Sequence, residues 1–240
     1  MNPQTNSAPA YWAVIPAAGV GKRMGGEKPK QYLTLAGAPI IEHTLARLAA
    51  HPKIKGIMVA IAPGDPYWHT VRLPVNIPVK VVYGGRERCY SVLNALEGLR
   101  GLAAKTDWVL VHDAARPCVR VADIEHLITA LADHPVGGLL GLPVSDTMKR
   151  TDDSGTIQQT VPRSNLWRAL TPQMFRYGML IQSLAEAVRA EELVTDEAAA
   201  IEWAGYRPRM VEGHADNIKI THPQDLQLAA LFLQQQKEIS

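Results

Sequence analysis

Cysteine is nearly absent: Cys89 and Cys118 are the only two in 240 residues, far apart and at no metal-ligand spacing. Neither a disulfide framework nor a thiolate metal site is indicated, and two free thiols fit a reducing, cytoplasmic setting. His43, His51, His69 and His134 show no zinc spacing either. No run approaches the roughly 20 apolar residues of a membrane helix. Residues 1–10 are polar, carry Pro3 and Pro9, and lack the apolar centre of a signal peptide. A charge of one sign is also missing. Twenty-five basic against 23 acidic residues leave a formal net charge of +2, mixed along the chain. That speaks against a nucleic-acid or membrane-surface binder, which needs a basic stripe. A small anionic ligand stays open, because a site needs only a few local cations.

What is present suits one large α/β domain, with 47% hydrophobic and 20% charged residues. Short apolar runs at 12–15, 56–61, 79–82, 108–111 and 137–142 read as buried strands, several rich in Val and Ile. Between them, 40–50, 90–99 and 123–132 read as helices with one apolar face. The alternation implies a doubly wound, mostly parallel sheet. A single domain over 11–233 is expected, between a flexible tail at 1–10 and a polar tail at 234–240 that frays. Residues 146–162 break the rhythm: two short polar strands flank the turn signal Asp152-Asp153-Ser154-Gly155. A hairpin with so little apolar surface is marginal alone and is expected to lean on a second subunit.

Unusual residues gather after the strand ends. The first strand runs into Pro16-Ala17-Ala18-Gly19-Val20-Gly21-Lys22-Arg23-Met24 and the third into Gly84-Gly85-Arg86-Glu87-Arg88. The fourth runs into His112-Asp113-Ala114-Ala115-Arg116-Pro117 and the fifth into Pro143-Val144-Ser145-Asp146-Thr147. Ligands of open α/β sheets bind at that carboxyl edge. The glycine loop is not a Walker A loop, since Arg23 stands where Ser or Thr should hold magnesium. It nearly fits a dinucleotide fingerprint, with Glu42 about 20 residues on as the ribose-binding acid, so a dehydrogenase is the competing reading. The cations Lys22, Arg23, Lys28 and Lys30 suit a triphosphate better, with Lys28 taken as a solvated residue. Asp113 with Asp216 could hold Mg²⁺, which bridges one or two carboxylates to substrate phosphates.

These motifs carry a resemblance. The loop from Pro16 to Met24 with Pro29-Lys30-Gln31-Tyr32 resembles the signature of small nucleotidyltransferases. Gly84-Gly85 with Arg88 and Ser91-Val92, His112 to Pro117, Asp146-Thr147 with Lys149, Leu170-Thr171-Pro172-Gln173, Thr195-Asp196-Glu197 and Asp216 to Lys219 narrow it. Together they resemble the methylerythritol phosphate cytidylyltransferases of isoprenoid biosynthesis, from about Trp12 to Leu231. The resemblance implies a Rossmann-like nucleotidyltransferase fold with a β-arm, without the downstream synthase fused to some relatives. It implies CMP transfer from CTP to methylerythritol phosphate with release of pyrophosphate, assisted by Mg²⁺ or another divalent cation.

Residue by residue, it implies that Pro16, Ala17, Ala18, Gly19 and Gly21 contact the nucleotide, and that Gly85, Ser91 and Ala114 line the cytosine pocket. Arg23 and Lys30 would stabilise phosphate charge. Asp113, Arg116, Thr147, Arg163, Thr195 and Lys219 would surround the acceptor, with Thr147 and Arg163 reaching in from the neighbouring subunit's arm of a homodimer. The acceptor's phosphate is mostly dianionic at neutral pH and is itself the nucleophile, so no catalytic Ser, Cys or His is required. His112 is read as packing or hydrogen-bonding locally. Ribitol phosphate is the alternative acceptor, and a non-catalytic nucleotide-binding regulator the alternative of another class.

Overall fold

The structure, a computed structural model, describes residues 8–19 and 28–238. In chain order, β1 (Tyr11–Pro16), a short 3-10 turn (Lys30–Tyr32) and the pair β2 (Thr34–Leu35) and β3 (Ala38–Pro39) lead into α1 (Ile40–Ala49). Then come β4 (Ile54–Ile61), β5 (Val79–Tyr83), α2 (Arg88–Gly98), β6 (Trp108–Val111), α3 (Val121–Leu131) and β7 (Gly137–Pro143). The chain continues through β8 (Met148–Thr151), β9 (Ile157–Val161), β10 (Trp167–Arg176), α4 (Tyr177–Arg189), α5 (Glu197–Trp203), β11 (Arg209–Glu212) and α6 (Pro223–Glu238).

The main sheet has seven strands in the order β11-β7-β10-β6-β1-β4-β5. β1 pairs in parallel with β4 and β6, β4 with β5, and β7 with β11. Only β10 runs antiparallel, between β6 and β7. The sheet is thus mixed and mostly parallel, as the alternation of strands and helices requires. β1 shows why: side chains alternate across a strand, and its apolar run has layers on both faces. Ala13 and Ile15 pack with Ile41, Leu45 and Leu48 of α1 and with Ile124, Leu127, Ile128 and Leu131 of α3. Trp12 and Val14 pack with Val92, Ala95 and Leu96 of α2, Leu180 and Leu184 of α4 and Ile201 of α5. The helical residues recur at three- and four-residue intervals, one apolar stripe per helix. Truncating a fully buried one such as Leu127 to alanine would cost about 2–5 kcal/mol.

Two expectations change, and one strand appears where none was expected. Residues 79–83 form an edge strand rather than a buried one, with Lys80, Val81 and Tyr83 exposed because no strand lies beyond. Residues 234–238, expected in a polar tail, belong to α6, which continues to Glu238 with Gln236 buried against the Cys118 carbonyl. β10, hidden in sequence by Pro172, breaks register between Ala169 and Gln173 yet holds the middle of the sheet.

The polar hairpin stands as expected. β8 and β9 form a sheet of their own, and every residue from 145 to 160 is exposed. Its turn is closed by the Asp152 carboxylate, which accepts from Ser154 N, Thr156 N and the Gln158 amide, with Gly155 at φ +84°. Only glycine takes that left-handed conformation without strain.

Candidate functional site

The first loop leaves β1 with the Ala17 amide donating to the Ala60 carbonyl at 2.7 Å. Its carbonyls are held from behind: the buried Gln31 amide donates to Ala17 O at 2.6 Å and Gly19 O at 3.2 Å. Gly84 lets the third loop close on the first. A Cβ there would lie 2.5 Å from Ala18 Cβ and 2.7 Å from Ser91 Oγ, closer than atoms can approach. Ser91 Oγ accepts from the Gly85 amide at 3.1 Å. The structure thus brings Ala17, Ala18 and Gly19, at the exit of Pro16, beside Gly85 and Ser91. Gly21 and Arg23 lie outside the described residues, as does Lys22.

Asp113, just past β6, is the electrostatic centre. Its Oδ1 accepts from Arg88 Nε at 3.3 Å, and its Oδ2 from Arg116 Nε at 3.4 Å and Lys219 Nζ at 2.9 Å. Burial pushes its carboxyl up, but Arg88, Lys219 and Arg116 outweigh this and hold it well below the usual carboxylate range. Arg88 also forks onto the buried Glu197, at 2.6 and 3.1 Å. Three cations against two carboxylates leave this edge with one surplus positive charge. Lys219 is 35% exposed and forms the open side of the cluster.

Behind Asp113 runs a buried polar chain. The Asp113 amide donates to Thr171 Oγ1 at 3.1 Å, Thr171 donates to His112 Nδ1 at 2.9 Å, and His112 Nε2 donates to the Arg116 carbonyl at 3.0 Å. Burial lowers the His112 pKa to about 4, so the imidazole is neutral and both nitrogens are engaged. Ala114 is buried, with its carbonyl taken by Thr44 Oγ1 at 2.9 Å. Arg116, read from sequence as an acceptor ligand, is buried and directed inward, donating to the Asn217 carbonyl at 2.7 Å. Lys30 Nζ donates to the Ile220 carbonyl at 3.0 Å, tying the first loop's exit to the segment that carries Lys219.

Asp216 does not share a partner with Asp113. Its Oδ2 is held by Arg120 at 2.8 and 2.6 Å and by Gln236 at 2.8 Å. Its buried Oδ1 meets no hydrogen-bond partner among the described residues. Those residues contain no group of three His, Cys, Asp or Glu able to hold a metal ion. Both oxygens of Asp113 and one of Asp216 are already on cationic or amide donors. The donor set fits a cation that arrives on substrate phosphates and takes at most a carboxylate oxygen here, rather than a resident metal.

Thr147 and Arg163 belong to the exposed arm, where Arg163 donates to its own Ser145 carbonyl. Among the described residues neither shares a hydrogen bond or ion pair with the Asp113 cluster. Thr195 is exposed just before Asp196, which caps α5 through the Ala199 amide at 2.8 Å. Two surface grooves, one along α6 and one between α1 and residues 72–76, share no lining residue with this edge. The competing dinucleotide reading finds no support: the described chain after the glycine loop forms a bend, a 3-10 turn and a β-pair, and Glu42 accepts from the Arg72 amide.

Sequence reasoning assigned no task to Gln31, Arg88, Thr171 or Glu197. Their signal was membership in the quoted motifs, but their partners lie up to 109 residues away.

A family model described as 2-C-methyl-D-erythritol 4-phosphate cytidylyltransferase matches residues 11–235. A protein of that name from Pseudomonas putida is 54% identical over 220 residues, covering 91% of this chain and 94% of the relative. One from Hahella chejuensis is 54% identical over 222 residues, covering 92% of each. The crystal structure of the Francisella tularensis protein of the same name superposes with a TM-score of 0.81 at 35% identity, over 93% of this chain and 99% of that one.

Proposed function

The chain belongs to the 2-C-methyl-D-erythritol 4-phosphate cytidylyltransferase family, and we propose that its reaction runs at the sheet edge around Asp113 and Lys219. The enzyme transfers CMP from CTP to methylerythritol 4-phosphate, giving 4-diphosphocytidyl-2-C-methyl-D-erythritol and pyrophosphate, in isoprenoid biosynthesis. The observation that carries the site is the partly open Lys219 ammonium, held 2.9 Å from a carboxylate that Arg88 and Arg116 keep ionised.

The chemistry needs two anions brought together. An acceptor phosphate oxygen attacks the α-phosphorus of CTP, the bond to the β-phosphate bridging oxygen breaks, and pyrophosphate leaves with that electron pair. Lys219 spends one N–H on Asp113 and has others for the acceptor phosphate. Ala18 and Gly19, just beyond the Ala17 amide held on Ala60 and with their loop held from behind by Gln31, offer backbone N–H groups to the triphosphate. Gly85 and Ser91 border the space for cytosine, and Lys30 with Arg23 supplies cationic charge on the leaving side. A divalent cation carried by CTP would add neutralising charge there, with Asp216 and Asp113 as the nearby carboxylates. His112 takes no proton: it is neutral and occupied at both nitrogens. The protein's share is positioning and electrostatic stabilisation.

The arm extends the reading to a homodimer. Residues 145–160 and Arg163 are exposed, so one chain alone leaves Thr147 and Arg163 facing solvent. Docked on a second copy, they would complete the neighbouring subunit's acceptor site, with Thr195 and Lys219 supplied from within. No helix among the described residues is long and apolar enough to cross a membrane.

The test is pyrophosphate release from each nucleoside triphosphate with methylerythritol phosphate or ribitol phosphate as acceptor. Release with CTP and methylerythritol phosphate is expected, and Lys219→Ala should lower it by about 100-fold while leaving a measurable rate. Full activity in the Lys219→Ala variant would overturn the site.

A further inference from the structure

Arg88 opens α2, a poor place for a cation, because the first turn of a helix favours negative charge. Helix formation therefore does not account for it, and its contacts do. One guanidinium joins three segments: it forks onto Glu197 at the start of α5 and reaches Asp113 past β6, with Ser91 one turn along on its own helix. Glu197 is 1% exposed, and its two oxygens both accept from Arg88. Burying a carboxylate this deeply for packing alone is unfavourable; an apolar side chain of the same volume would serve a purely structural role as well or better.

What the bidentate fork adds is direction. Two parallel N–H···O bonds fix the plane of the guanidinium. With that plane fixed, the Nε–H is aimed at Asp113 Oδ1, 3.3 Å away. Orienting Oδ1 sets Oδ2, on which the Lys219 ammonium rests at 2.9 Å. Thr195, expected at the acceptor, stands two residues before Glu197 on the same segment. Ser91, on the side expected for cytosine, shares α2 with Arg88. The pair therefore lies between the two halves of the site.

We propose that Glu197 is a positioning residue for the acceptor: through Arg88 it orients the Asp113 carboxylate and so sets where the Lys219 ammonium meets the acceptor phosphate. This rests on Lys219 holding that phosphate. The isosteric Glu197→Gln variant replaces one accepting oxygen with an NH₂ group that opposes the guanidinium, so the fork is lost while the volume is kept.

The experiment is a double-mutant cycle with Lys219→Ala, reading kcat/KM for methylerythritol phosphate, CTP binding by titration of CTP alone, and the melting temperature of each variant. A displacement of about 1 Å in a positioning group costs on the order of 100-fold. Glu197→Gln is therefore expected to lower acceptor kcat/KM by about 10- to 100-fold while the CTP Kd moves less than about threefold. In the Lys219→Ala background the same change should add less than about twofold, because the group it positions is gone. If Glu197→Gln does not fold, Arg88→Lys, which keeps the charge but cannot fork, takes its place with the same expected pattern. An undiminished factor in the Lys219→Ala background, or equal losses of CTP binding and acceptor use, would overturn the proposal and leave Lys219 in place. A Lys219→Ala variant that alone keeps acceptor kcat/KM would overturn both.

Discussion

Asp113→Asn is the substitution whose cost the structure allows to be worked out. The amide keeps the shape of the carboxylate, loses its charge and turns one acceptor into a donor facing cations. The three cations around it do not lose equally. Arg88 retains its fork on Glu197. Lys219 is 35% exposed, so solvent screens most of what it loses. Arg116 is 10% exposed and among the described residues keeps the Asn217 carbonyl but no carboxylate, so it becomes a buried guanidinium with no anion among them. Removing one partner of a buried pair costs about 3–5 kcal/mol. For a chain of this size each kcal/mol lowers Tm by about 2–4 °C, which gives a drop of roughly 6–20 °C. The pH dependence follows from the direction of the shift. A carboxyl held below its ordinary value contributes stability that is complete above about pH 4 and is lost only as pH falls through the lower native value. The gap between wild type and variant should therefore be the same at pH 5 and pH 8 in matched thermal melts. A drop of under about 2 °C, or a gap that closes between pH 8 and pH 5, would refute the reasoning.

His112 supplies a pH dependence in that range. Its native pKa is about 4 against 6.5 unfolded, so the unfolded chain takes up a proton first as pH falls. Up to about 3 kcal/mol of stability should disappear between pH 7 and pH 4 in denaturant titrations, with a shallower slope in His112→Asn. Gln31→Ala leaves the carbonyls of Ala17 and Gly19 without their donor, at about 1–3 kcal/mol, so CTP should bind about 10- to 100-fold more weakly by titration. Lys28→Ala should leave CTP affinity unchanged in the same titration. Mixing Arg163→Ala with Lys219→Ala protein should restore part of the lost activity if each arm serves the other subunit, since mixed dimers then hold one intact site; no recovery after proven subunit exchange would place each arm in its own site.

Much of the framework was legible because local chemistry decides it. The Val- and Ile-rich runs ending at Ile15, Ile61 and Val111 became strands with apolar layers on both faces. The stripes in α1, α2 and α3 emerged with boundaries within two residues of those expected. Glycines and charges after successive strands could be read as a shared edge, because parallel strands deliver their ends to one side. β10 was not legible, since Pro172 and the polar Thr171 and Gln173 argue against a strand, and only its neighbours β6 and β7 make it one. α6 was hidden for a different reason. Its Gln-rich end carries no clear stripe: Ala229 and Leu233 pack with Leu35, Ile40 and Ile220, and beyond them the helix is tied by Gln236 to Cys118 and Arg47.

The two aspartates expected to act as a pair show where sequence reasoning runs out. Asp113 and Asp216 are alike in type, in burial and in lying just past a strand. Their difference lies in partners fixed by topology. β6 sits centrally in the sheet, so Asp113 is reached by Arg88 from α2, Arg116 from its own turn and Lys219 from the segment after β11. β11 is at the sheet's edge, so Asp216 meets Arg120 at the start of α3 and Gln236 from α6. The first aspartate is therefore an anion that gathers three cations around it. The second is tied to the C-terminal helix through Gln236, and its other oxygen meets no partner among the described residues. A charge's neighbours decide its work, and here 25 to 109 residues separate Arg88 from the two carboxylates it joins. Spacing along the chain cannot report that, whereas the order of strands in the sheet does.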